Sequence, residues 1–150
     1  MIISFVGHSF VQSSAVVKEM VKEQIRNCIL NRESVICYLG GYGDFDNICA
    51  SACNELKNEY SCIETVFVSP YLNEERNEKG RFGVGIYDSL IYPPIENVPI
   101  RYAILKRNEW MMENADLVIA YVKHNHGGAY KALCVAKRKK KLIVNISDFL

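Results

Sequence analysis

The residues best suited to chemistry in this sequence stand where hydrophobic runs break into glycine. The β-branched and aromatic run from Val35 to Leu39 stops at Gly40-Gly41-Tyr42-Gly43, and Asp44-Phe45-Asp46 then opens a helical pattern. Glycine permits positive φ and lets a ligand approach the main chain closely. A helix starting there aims its unpaired N–H groups, and the positive end of its dipole, at whatever fills the turn. The chemistry expected of such a loop is binding of a phosphate-like anion. Two further loops have the same character: Gly7-His8-Ser9 after Met1 to Val6, and Lys123-His124-Asn125-His126-Gly127-Gly128 after Asp116 to Val122.

Other polar groups could join them. Arg107 and Asn108 fall on the face marked by Ile104, Met111 and Ala115 at helical spacing. Arginine is rarely buried unless paired. These two are expected at the floor of a polar site, with a snorkelling arginine or a structural ion pair as the bland readings. Of Asp44 and Asp46, one is expected to cap the helix and the other to meet a ribose hydroxyl. Asp88, between Tyr87 and Ser89, is the candidate catalytic acid, with Asp46 the second candidate. His8 is expected to hydrogen-bond a phosphate. The three histidines match no metal-ligand spacing, so no metal is expected. The basic run Lys137 to Lys141 follows the last helix, where it complements the dipole, and is expected to be a solvated face. It lacks the aromatic interleaving of a base-stacking platform.

The elements that must position these groups alternate. Met1 to Val6, Ser34 to Leu39, Cys62 to Val68, Asp116 to Val122 and Lys141 to Ile146 read as strands. Helices are expected from Ser9 to about Asn31, where Ser9 and Gln12 have capping-box spacing, then over Asp44–Asn58, Arg101–Asn114 and Ala129–Lys139. This alternation predicts an α/β fold: one Rossmann-like, doubly wound parallel sheet of about five strands in the order 3-2-1-4-5. Strands one and four are then neighbours whose connections leave in opposite directions, and the glycine loops meet beyond their C-terminal ends. The 150 residues are expected to form a single domain, with a long loop insertion at about 71–99. Within it, Asn73 to Gly85 reads either as a functional loop or as a disordered excursion.

Composition excludes several classes. A formal net charge of +1 gives no general reason for a polyanionic partner, and no apolar run is long enough to span a membrane. Six cysteines without a C-x-x-C pair are expected to be reduced, structural thiols. Together with an N-terminus lacking a signal-peptide n-region, they point to the cytoplasm.

Gly7-His8, the loop Gly40 to Asp46, the segment from Arg107-Asn108 to Ala115-Asp116, and Gly127-Gly128-Ala129 together resemble the SLOG superfamily of Rossmann-like proteins. That group includes LOG phosphoribohydrolases, DNA-processing DprA/Smf proteins and small bacterial or prophage proteins. The resemblance covers nearly the whole chain apart from Asn73 to Pro99. It implies a nucleotide-type ligand (a nucleoside monophosphate, or an ADP-ribose-like or NAD-derived molecule), no required cofactor, and a homodimer or larger homo-oligomer. Gly127-Gly128 matches the first two glycines of the LOG motif P-G-G-x-G-T-x-x-E. His126 stands for its proline, Tyr130 for the third glycine, Lys131 for the threonine and Cys134 for the catalytic glutamate. LOG-type hydrolysis, which uses that carboxylate, is therefore in doubt.

The expectation is a binding protein that senses or sequesters a nucleotide or nucleotide-derived ligand. Its site comprises Gly7, His8, Ser9, Gly40, Gly41, Gly43, Asp44, Asp46, Arg107, Asn108, Gly127 and Gly128. The alternatives are a nucleotide N-glycosidase using Asp88 or Asp46 and a single-stranded DNA-binding module. Under the leading reading neither a membrane nor nucleic acid is an expected partner.

Overall fold

A computed structural model describes residues 1–30, 34–72 and 87–150. The stretch expected to be an excursion, Asn73 to Gly85, lies outside the described residues. Six parallel strands form one sheet in the order β4-β3-β2-β1-β5-β6. They are β1 (Ile2–Gly7), β2 (Val35–Leu39), β3 (Ile63–Val68), β4 (Ser89–Ile91), β5 (Leu117–Tyr121) and β6 (Leu142–Asn145). Among the described residues the helices are α1 (Ser14–Leu30), α2 (Asp44–Lys57), α3 (Ala103–Glu113) and α4 (Gly128–Arg138). Single 3-10 turns add Ile100–Tyr102 and Ile146–Phe149.

Strand alternation sorts the core into two layers. Ile3 and Phe5 of β1, Val35, Cys37 and Leu39 of β2, and Ile119 and Tyr121 of β5 face α1 and α2. Val6, Tyr38, Val118 and Ala120 face α3 and α4. On the first face α1 inserts Val17, Val21 and Ile25, all fully buried. Truncating Ile25 to alanine is expected to cost about 2–5 kcal/mol through lost burial and a residual cavity.

The chain builds outward from β1 through β2 and β3 to β4, then returns to place β5 on the other side of β1. A reciprocal clip fixes that return: Ile2 N–H donates to Asp116 Oδ2 (2.7 Å) and Asp116 N–H donates to the Ile2 carbonyl (2.8 Å). The predicted order holds, with one strand more than expected. The addition is β4, three residues inside the stretch read as an irregular loop. Its pairing with β3 is secured at Asp88, which accepts the Thr65 N–H (2.8 Å) and donates its own to the Thr65 carbonyl (2.9 Å). Three residues are too few to show a period.

Helix α1 begins at Ser14, not Ser9. The expected first turn is held instead as a loop across the start of α2: Asp44 N–H donates to the Ser9 carbonyl (2.9 Å) and Val11 N–H to Asp44 Oδ2 (3.1 Å). Among the described residues no disulfide joins the cysteines, and Cys37, Cys49 and Cys53 are buried. No helix among the described residues is long and apolar enough to cross a membrane.

Candidate functional site

The connections after β1 and β5 leave in opposite directions, and between them, at the C-terminal edge of the sheet, lies a crevice of about 440 Å³. Its lining comes from separate parts of the chain. Gly7, His8 and Ser9 follow β1, and Gly40 with Asp46 come from the β2–α2 connection. Arg107 and Asn108 come from α3, and Gly127 and Gly128 from the start of α4. These nine of the expected site residues are brought together. Gly41, Gly43, Asp44 and Asp88 are not among the residues lining the crevice.

Arg107 is only 1% exposed and acts as a brace. Its Nη1 donates to the carbonyls of Gly40 (2.8 Å) and Val68 (2.6 Å), and its Nε to Asn108 Oδ1 (2.9 Å). The guanidinium thus ties the glycine loop to the end of β3, while Tyr42 lies beside it with the guanidinium carbon 5.6 Å from the ring centroid. Glycine at position 40 leaves room for the brace, because a Cβ there would come within 3.2 Å of both Arg107 Nη2 and Asp46 Oδ2.

Asp46 is 9% exposed, and its Oδ2 accepts the Tyr42 N–H at 2.9 Å. Burial pushes its pKa up to about 6, against the opposing pull of the Arg107 charge and the Tyr42 amide. Neither aspartate caps α2, contrary to expectation. The cap position is Gly43, at φ 96° and ψ 172°, with no side-chain cap. That backbone region is essentially restricted to glycine. Both acids stitch loops instead, Asp44 to Val11 and Asp46 to Tyr42.

His8 is also committed differently from the reading. Its Nε2 accepts the N–H groups of Lys123 (2.8 Å) and His124 (3.3 Å), so the ring joins the β1 and β5 loops and presents no Nε2–H to a phosphate. Burial, then the neighbouring His124, His126 and Lys123, hold its pKa below the usual histidine value. The rings of His8 and His124 lie 4.9 Å apart, and those of His124 and His126 5.5 Å apart and nearly parallel. His124 and His126 stack and His8 lies tilted beside them; among the described residues no group of three or more His, Cys, Asp or Glu is placed to hold a metal ion.

The start of α4 is open. Gly127 adopts φ 93° and ψ 177°, and among the described residues a Cβ on Gly127 or Gly128 would meet nothing within 4 Å. Main-chain amides are therefore approachable there, as the anion reading requires. Cys134, at the position of the LOG glutamate, is not among the residues lining the crevice. Asp88 is equally remote. Its side chain is 45% exposed and bound by Lys57 (2.9 Å), which holds its pKa below the usual carboxylate range together with the Thr65 amide. Its observed work is pairing β4 to β3. The basic run lies at the far end of α4, with Lys141 donating to the Glu113 carbonyl (2.9 Å).

The lining residues not foreseen as site members are Phe5, Val6, Phe10, Tyr42, Ile104 and Ala129, together with His124 and His126, which the sequence offers, behind His8, as metal or phosphate ligands. Nothing in the sequence marks Phe10 or Ile104; only the packing shows that each is a large apolar side chain left exposed at the crevice.

No family model and no curated protein matches the chain. Solved structures do. DNA processing protein A of Helicobacter pylori, described for its unique single-stranded DNA binding mode, superposes with a TM-score of 0.61 at 16% identity over 95% of this chain. DNA processing protein A (DprA) of Streptococcus pneumoniae does so with a TM-score of 0.63 at 15% identity over 94%. This chain spans 63% and 48% of those two proteins. The likeness corrects the expectation that nucleic acid is not a partner to consider, because a fold neighbour is itself described as binding single-stranded DNA. At these identities what is shown is the fold alone: this chain shares the Rossmann-like fold of these DNA processing A proteins.

Proposed function

We propose that this chain binds single-stranded nucleic acid, taking a backbone phosphate at the open amides of Gly127, Gly128 and Ala129 in the switch-point crevice. The observation that carries the reading is the crevice itself: an accessible helix start, a braced glycine loop and stacked imidazoles around one space of about 440 Å³. The fold shared with a protein described as binding single-stranded DNA supports the same reading. The crevice volume also suits one free nucleotide, the second reading. Competition distinguishes the two, since a sensor of free nucleotides is saturated by a mononucleotide at concentrations far below those needed to displace a strand.

The test is fluorescence anisotropy with a labelled oligothymidylate across a salt series. Affinity should fall with salt at a logarithmic slope of about 0.7 per phosphate engaged. Gly128→Asp introduces an acid where nothing among the described residues stands within 4 Å and where a helix start tolerates it, so the fold should survive while strand binding drops at least about tenfold. Lys137→Gln with Lys139→Gln, at the opposite edge, should leave most of the affinity. The reverse pattern would move the strand to the basic run and refute the crevice reading.

A further inference from the structure

We infer that Phe10 is a base-stacking anchor, against whose exposed ring an unpaired nucleobase of the bound strand lies at the rim of the crevice. The inference rests on the strand-binding reading and specifies what that site grips besides phosphate.

Phe10 is 69% exposed, yet it does not sit on a loose loop. On one side the Ser9 carbonyl accepts the Asp44 N–H at 2.9 Å; on the other, Val11 N–H donates to Asp44 Oδ2 at 3.1 Å and the Val11 side chain is buried. Gly43 packs so close beneath that a Cβ there would stand 2.9 Å from Ser9 Cα. Both flanks are pinned while the ring between them is left outward. An aromatic ring held in that way loses little conformational freedom when something stacks on it.

The surroundings select the occupant. Ile104, 39% exposed, lines the same crevice and adds apolar surface. His8 from the β1 loop, with the stacked pair His124 and His126 from the β5 loop, supplies further ring surface. Lys123 is exposed beside it, and the amides at Gly127 and Gly128 are open. A wholly apolar partner would strand the imidazoles and amides without hydrogen bonds. Flat heteroaromatic bases strung on phosphates satisfy both kinds of surface, and stacking tolerates any base because each presents a π face.

The experiment compares two oligomers of equal length, oligothymidylate and its abasic sugar–phosphate counterpart, on wild type, Phe10→Ala, Phe10→Trp and Gly128→Asp. Wild type should prefer the base-bearing oligomer. Phe10→Ala should weaken that oligomer by roughly 5- to 100-fold, with the salt slope and abasic affinity unchanged, and Phe10→Trp should restore binding. Melting temperature should barely move, because the ring is mostly in solvent already. Equal weakening of both oligomers by Phe10→Ala, or none of either, overturns the inference. Binding lost in Gly128→Asp but untouched in Phe10→Ala refutes the anchor and leaves the phosphate site standing. A wild type that binds neither oligomer refutes both.

Discussion

Asp46→Asn separates two opposing forces in the crevice floor. Burial favours the neutral carboxyl, while the Arg107 charge and the Tyr42 amide favour the carboxylate. Burial wins, leaving the pKa raised from 3.8 to about 6. For an acid whose folded pKa is raised, the native state binds the proton more tightly than the unfolded chain. Its stabilising contribution is therefore complete below about pH 4 and lost as pH rises through about 6. At about 1.4 kcal/mol for each pH unit separating the two values, the loss amounts to about 3 kcal/mol. Asparagine keeps an acceptor for the Tyr42 N–H but cannot titrate. Urea unfolding of both proteins at several values between pH 3.5 and 7.5 supplies the assay. The other carboxylates, including Glu55 and Asp88, whose pKa values are lowered by their lysine partners, cancel in the difference between the two curves. Wild type should lose about 3 kcal/mol relative to Asp46→Asn as pH rises through that window. A flat difference, or wild type gaining on the variant above pH 4, would mean that Arg107 outweighs burial, and the reasoning would be wrong.

Gly43→Ala forces a side chain into a glycine-only backbone region and against Ser9 Cα, so it should cost at least about 1–3 kcal/mol in urea unfolding. Gly128→Ala, with open space around it, should stay within about 0.5 kcal/mol of wild type, and equal losses at the two positions would contradict the geometry. His8 should titrate below pH 6.5 by NMR, because burial and then the neighbouring His124, His126 and Lys123 disfavour its charged form, and protonation at Nε2 would also break its bonds from Lys123 and His124. Its contribution to stability is accordingly present above pH 6.5 and fades as pH drops through the folded value; a midpoint at or above 6.5 would count against the bridging role. Asp88→Asn should cost no more than about 1 kcal/mol, as for an exposed ion pair, and leave strand binding unchanged. A large loss of binding would return Asp88 to the site.

Much of this architecture is local information. The alternation of short apolar runs with amphipathic segments determines a parallel sheet, because each run must be covered on both faces and right-handed crossovers leave few arrangements. That was enough to place Gly7, Gly40 and Gly127 on one edge, and to put Arg107 and Asn108 near them through their position on the α3 face. What each group does there was decided by partners far away in sequence. Arg107 braces the carbonyl of Gly40, 67 residues earlier, and His8 accepts amides 115 and 116 residues later. Asp44 and Asp46 read as caps because helix starts favour acids, but tertiary contacts offered Val11 and Tyr42 amides instead. β4 is stable only because β3 is already there to pair with it. Phe10 shows the limit most plainly: one aromatic residue after a glycine loop is unremarkable in sequence. Only the pinning of both its neighbours, and the exposure of its ring, makes it a surface feature of the crevice. Periodicity is set by neighbours three or four positions apart and is legible in the chain; burial and hydrogen bonding across it depend on closure of the fold.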